Sequence, residues 1–95
     1  MKYYLSICAI FRNEADYLRE WIEFHRLVGV DHFYLYNNLS DDDYSSVLNP
    51  YIDREIVTLR DWPEAWRKET QPNAYLDCLD RYRGESRWIA FIDLD

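Results

Sequence analysis

The sequence predicts an α/β fold: a Rossmann-like parallel sheet built as βαβαβαβ, with strand order 3-2-1-4. Three observations predict it. Four short apolar runs alternate with segments whose apolar residues recur at helical spacing. The runs are almost continuously apolar, as in strands covered on both faces. Polar residues gather just after three of them, at Arg12-Asn13-Glu14, Asn37-Asn38 and Asp93-Leu94-Asp95. That is where open α/β sheets bind ligands.

The elements follow in order. Residues 3–11 (YYLSICAIF) predict the first strand. Asn13 is placed to cap a helix, with Asp16 near its positive end. Leu18, Trp21, Ile22, His25 and Val28 recur along residues 14–28 as the apolar stripe of that helix, and Gly29 supplies the stop. Residues 32–36 (HFYLY) predict the second strand. Ser40 with Asp43 is a capping pattern that opens a short helix through about residue 48, which Asn49-Pro50 ends. Residues 55–60 (EIVTLR) predict the third strand, followed by a polar loop bearing Trp62 and Trp66. Pro72 suits the first turn of a third helix, striped by Ala74, Tyr75, Cys78, Leu79 and Tyr82 and closed by Gly84. Residues 87–95 (RWIAFIDLD) predict the fourth strand.

Ninety-five residues form a single domain, 1–95. A chain this short buries only about 60–65% of the surface it would expose unfolded. Its 48% hydrophobic and 18% aromatic content nevertheless marks a core-forming sequence. A net charge of −7 argues against nucleic acid or an anionic membrane as partner. Cys8 and Cys78 fall on apolar positions without metal-ligand spacing, which predicts buried reduced thiols and a cytoplasmic location. The apolar run behind Lys2 lacks a small-residue cleavage site, so it is not expected to be a signal peptide. No apolar run is long enough to predict a transmembrane segment.

If strands 1, 2 and 3 proceed one way and strand 4 returns to the far side of strand 1, a crevice opens between the ends of strands 1 and 4. Asp93 and Asp95 would leave one face of strand 4 together, because side chains alternate along a strand. Two like charges roughly 6–7 Å apart repel by about 2–3 kcal/mol at an effective dielectric of 20. A hard divalent cation turns that cost into a binding site, since Mg²⁺ and Mn²⁺ favour carboxylate oxygens and share them with phosphates. With only Gly29 and Gly84, the chain has neither GxGxxG nor GxxxxGK[ST]. A metal would therefore have to hold a diphosphate, helped by the amino end of the first helix.

The stretch ICAIFRNEADYLREWIEFHRLVGVDHFYLYNNLSDD, with QPNAYLDCL and WIAFIDLD, resembles the start of a GT-A glycosyltransferase, of the family 92 and family 2-like group. The resemblance covers essentially the whole chain. It implies the donor-binding portion of an enzyme that passes sugar from a nucleotide-diphosphate sugar to a saccharide or other hydroxyl acceptor. It implies Mn²⁺ or Mg²⁺ as cofactor, and inversion at the anomeric carbon with a general base supplied beyond Asp95. On matching positions, Arg12, Asn13 and Glu14 would line the nucleotide pocket. Asn37 and Asn38 stand where many relatives carry acidic residues that hold base or ribose. Asp93 and Asp95 would be the metal motif, Asp95 the more direct ligand. Gln71 would approach the nucleotide from the third helix, and Asp42 would face the crevice.

Relatives continue beyond this motif, and an apolar last strand leaves unpaired backbone groups at a sheet edge. Both points suggest the front half of a larger domain, with self-association through residues 87–95 as a consequence. The alternative is a non-catalytic α/β module that pairs through that open edge. A phosphatase-like hydrolase with an Asp nucleophile ranks below both, because such chemistry usually follows the first strand, and here that strand ends in Phe11-Arg12-Asn13. His25 and His32, without partners at ligand spacing, are expected to be structural. The run Asp41-Asp42-Asp43 lacks the loop of a Ca²⁺ site and is expected to cap a helix. Trp62 and Trp66 either stack on ligand or pin their loop to the core.

Overall fold

A computed structural model describes residues 1–94; Asp95 lies outside the described residues. The elements are β1 (Tyr3–Phe11), α1 (Ala15–Leu27), β2 (His32–Asn37), α2 (Tyr44–Asp53), β3 (Val57–Asp61), α3 (Thr70–Tyr82) and β4 (Ser86–Phe91). All pairings are parallel and the order is β3-β2-β1-β4, as the sequence predicts.

The pleat divides the core in two. In β1, Ile7, Ala9 and Phe11 face one way and join Phe33 and Leu35 of β2 against Leu18, Trp21 and Ile22 of α1 and Leu48 and Tyr51 of α2. Cys8 and Ile10 face the other way with Tyr34 and Tyr36, against Ala74 and Cys78 of α3. Both cysteines are free and buried there, as expected. Crossovers of one hand explain the layering. The chain steps outward from β1 to β3, then back across the sheet to β4, so α3 lies on the opposite face from α1 and α2.

Several element boundaries differ from the sequence reading, while Pro72 falls in the first turn of its helix as expected. Glu14, not Asn13, precedes α1, and no side chain of its own caps that helix. Asp43, not Ser40, caps α2, accepting from the Ser46 N–H. Pro50 lies inside α2 rather than ending it; the helix forfeits a hydrogen bond there and is held by the burial of Leu48 and Tyr51. Helix α3 begins at Thr70, which puts Pro72 third, where a missing N–H is still without cost.

The end of β4 also differs, and that difference shapes the site. Strand β4 ends at Phe91, four residues before the predicted end. Its last pair is Cys8 with Phe91, and the Ile92 N–H still reaches the Cys8 carbonyl at 3.3 Å. Strand β1 runs on to Phe11 in register with β2. Strands β1 and β4 therefore part for their final residues, and Asp93 stands beyond the ladder rather than within it. Leu94 folds back into the core at 3% exposure.

Both histidines prove structural. His25 Nδ1 lies 2.8 Å from the Trp21 carbonyl one turn earlier. His32 is buried, stacked on Tyr3 at 4.2 Å, with its ring nitrogens bonded to the Glu55 carbonyl and the Thr58 hydroxyl.

Candidate functional site

Where β1 and β4 part, a cleft of about 440 Å³ opens at the carboxyl end of the sheet. A volume of this size suits a small organic ligand. Ile10, Phe11 and Leu94 form its apolar floor, and Arg12, Glu14, Asn38, Gln71 and Asp93 bring the polar groups. Trp66 completes the wall. Five residues singled out in the sequence thus converge from four segments of the chain. Asn13, Asn37 and Asp42 are not among the lining residues; they brace the loops that carry it.

The bracing begins at Asn13, whose φ of 54° is the left-handed conformation that Asn tolerates better than most residues. Its N–H donates to Ser40 Oγ at 2.9 Å, and its Oδ1 accepts from the Asp41 N–H at 2.9 Å. Asp42 Oδ2 accepts from the Ala15 N–H at 2.9 Å, so α1 is capped by a carboxylate 27 residues away. That charge sits on the positive end of α1, which leaves the helix with less attraction for a phosphate than its sequence suggests. Asn37 donates to Asp61 Oδ1 at 3.1 Å and accepts from the Ser40 N–H at 3.0 Å. The loops after β1, β2 and β3 are therefore tied side by side.

Asn38 is 1% exposed and faces the cleft. Its amide nitrogen donates to the carbonyls of Trp62 at 2.9 Å and Glu64 at 2.7 Å. Both amide hydrogens are committed, which fixes the orientation of the side chain. Its Oδ1 is then left buried without a partner. A buried acceptor without a donor costs about 1–3 kcal/mol.

The two tryptophans separate. Trp62 packs edge-on against Tyr36 at 5.5 Å and pins its loop. Trp66 is 58% exposed and lines the cleft. Thr70 presents it: this buried hydroxyl accepts from the Arg67 N–H at 3.0 Å and donates to the Ala65 carbonyl at 3.1 Å, fastening the residues on either side of Trp66. The sequence reading missed Thr70. Its signal was a hydroxyl two residues ahead of a helix-opening proline.

Gln71 lines the cleft with its amide nitrogen committed to neighbouring side chains. That atom lies 2.7 Å from Asp93 Oδ1 and 2.9 Å from the Tyr75 hydroxyl. Burial, followed by the Asp93 charge, pushes the Tyr75 phenol up to about 12. Two carboxylates, Glu14 and Asp93, line the cleft. Among the described residues no three His, Cys, Asp or Glu side chains gather into a protein-only cage. Hard oxygen donors in small number fit a cation such as Mg²⁺, which keeps waters and binds substrate phosphates. Asp95, expected to be the more direct ligand, lies outside the described residues.

Comparison with known proteins gives a consistent picture. The model of the family described as glycosyltransferase family 92 matches residues 2–95. A glycosyltransferase family 92 protein of Oryza sativa subsp. japonica is 39% identical over 92 residues, 96% of this chain and 15% of that protein. A beta-1,4-galactosyltransferase of Caenorhabditis elegans is 34% identical over 104 residues, 98% of this chain and 24% of that protein. A galactan beta-1,4-galactosyltransferase of Arabidopsis thaliana is 35% identical over 86 residues, 82% of this chain and 16% of that protein. The chain thus spans a minor part of the length of these relatives. No solved structure matches it significantly.

Proposed function

This chain belongs to glycosyltransferase family 92, and from that premise we propose that it is the donor-binding portion of a glycosyltransferase. It binds a nucleotide-diphosphate sugar with Mn²⁺ or Mg²⁺, for transfer to a saccharide or other hydroxyl acceptor. The observation that carries the reading is the cleft between the parted ends of β1 and β4, to which Arg12, Glu14, Asn38, Gln71 and Asp93 converge. Asn38 Oδ1 accepts a hydrogen bond from the base or ribose. Trp66 offers a face for stacking, and the Arg12 guanidinium offers charge to a phosphate.

The chain carries −7 overall and brings two carboxylates to the cleft against one arginine. A cation therefore strengthens the binding of an anionic diphosphate there. Asp93 and Asp95 would hold the cation, Asp95 as the more direct ligand that the resemblance implies. A bound divalent ion supplies positive charge against the leaving diphosphate. Two of the relatives are named beta-1,4-galactosyltransferases, so galactose is the sugar to test first.

Thermal unfolding tests the reading. With UDP and Mn²⁺ at ten times their dissociation constant, binding contributes about 1.4 kcal/mol and raises Tm by roughly 6–11 °C. EDTA or Asp93→Ala should remove that rise. GDP and ADP in parallel identify the base. No rise with any diphosphate, at any Mn²⁺ concentration, overturns donor binding.

That negative result favours the second reading, a non-catalytic module that self-associates. Strand β4 is an edge of the sheet and Trp88 on it is 57% exposed. An uncovered apolar edge is a template for pairing with another strand.

A further inference from the structure

Asp93 stands past the end of β4, on the exposed side of a segment whose neighbour Leu94 is buried. No ladder hydrogen bond fixes its side chain. The contacts that do fix it come from α3. Gln71 Nε2 lies 2.7 Å from Asp93 Oδ1, and a carboxylate can only accept, so the amide nitrogen and not the amide oxygen faces it. The same nitrogen donates to the Tyr75 hydroxyl at 2.9 Å. Gln71 and Tyr75 are four residues apart and share one face of the helix. The Tyr75 hydroxyl in turn lies 3.5 Å from the Ile92 carbonyl, and its ring centroid is 4.8 Å from that of Phe91. Two residues of α3 thus grip Phe91, Ile92 and Asp93 in succession.

We propose that Gln71 is a positioning residue: it holds the Asp93 carboxylate by Oδ1 and leaves Oδ2 to the cation of the cleft. The proposal rests on the donor-binding reading and deepens it, since it moves Gln71 from the nucleotide to one carboxylate of the metal motif. The choice of side chain has a physical reason. A lysine or arginine here would orient Asp93 but also compete with the cation for its charge. A neutral amide orients the carboxylate without neutralising it, as outer-shell partners of metal ligands do. Restricting the rotamer of an exposed acid before binding lowers the entropy lost when the ligand arrives.

The test compares Gln71→Leu and Gln71→Asn with the wild-type 95-residue chain. Leucine removes the donor, whereas asparagine keeps the amide but falls one methylene short. The affinity for UDP is measured twice, by calorimetry with Mn²⁺ and by ligand-observed NMR in EDTA. Both variants should lose about three- to tenfold in the Mn²⁺ measurement, the worth of one hydrogen bond to a charged group. Affinity in EDTA should stay at the wild-type value. Unchanged affinity with Mn²⁺ overturns the proposal while donor binding stands. An equal loss in both measurements also overturns it, because it assigns Gln71 to the nucleotide or to folding. A wild-type chain that binds UDP in neither measurement removes the donor-binding reading, and this proposal with it.

Discussion

Asn38 donates both amide hydrogens to carbonyls of the loop after β3, and so its Oδ1 is the polar atom of the side chain left without a partner. In the sequence Asn37 and Asn38 are an undivided pair. Asn37 ties Asp61 to Ser40 while Asn38 lines the cleft, and only the fold tells which does which. The tryptophans divide in the same way. Trp66→Ala should weaken Mn²⁺–UDP binding by about tenfold or more, the usual worth of a stacked base, with little change in the urea midpoint. Trp62→Ala should do the reverse, lowering stability by about 2 kcal/mol through lost packing on Tyr36. Calorimetry and urea unfolding on both variants separate the two. If Trp66→Ala proves the more destabilising, its assignment to the cleft fails.

At the scale of elements, apolar periodicity located every strand and helix, because burial on one or both faces dictates those patterns. The ends were less legible. A cap read from sequence looks three or four residues ahead, but α1 is capped by Asp42 from a loop that the sheet brings alongside. Strand β4 looks longer in sequence than it is, since Ile92 and Leu94 are apolar for the sake of the core rather than the ladder. Asp42→Ala should lower unfolding free energy by about 1–2 kcal/mol, the usual cost of a lost cap. Asp42→Asn, which retains an acceptor oxygen, should recover a substantial part. Urea denaturation monitored by tryptophan fluorescence measures both, and a wild-type midpoint for Asp42→Ala would show that water replaces the bond at no cost.

For the molecule as a whole, the opposite end of the sheet from the cleft carries a pH-sensitive contact. His32 Nδ1 faces a carbonyl, which only accepts, so Nδ1 carries the proton and Nε2 accepts from Thr58. Burial holds this imidazole below its ordinary pKa of 6.5, against the opposing pull of the Glu55 carbonyl and the Glu85 charge. The unfolded chain therefore takes up a proton at a higher pH than the folded chain. The stabilisation is complete above about pH 6.5 and is lost as pH falls through the lower folded value. Urea midpoints should drop between pH 7.5 and 5.5, and the drop should shrink in His32→Gln. An identical pH slope in the two proteins would remove His32 as its cause.

The sequence by itself determined the α/β class, the strand order, the three polar strand ends and the family. The class and the strand ends follow from which residues are apolar, at what period, and what stands just past each run; the strand order adds the usual path of such chains, and the family rests on the resemblance of particular stretches. Tertiary structure decided which polar residues enter the cleft, because that depends on strands β1 and β4 parting after Cys8 and Phe91. It also decided that Gln71 meets Asp93 and that Thr70 presents Trp66. A hydrogen bond across 22 residues leaves no periodic trace in the chain; it exists only once packing has set α3 beside the end of β4.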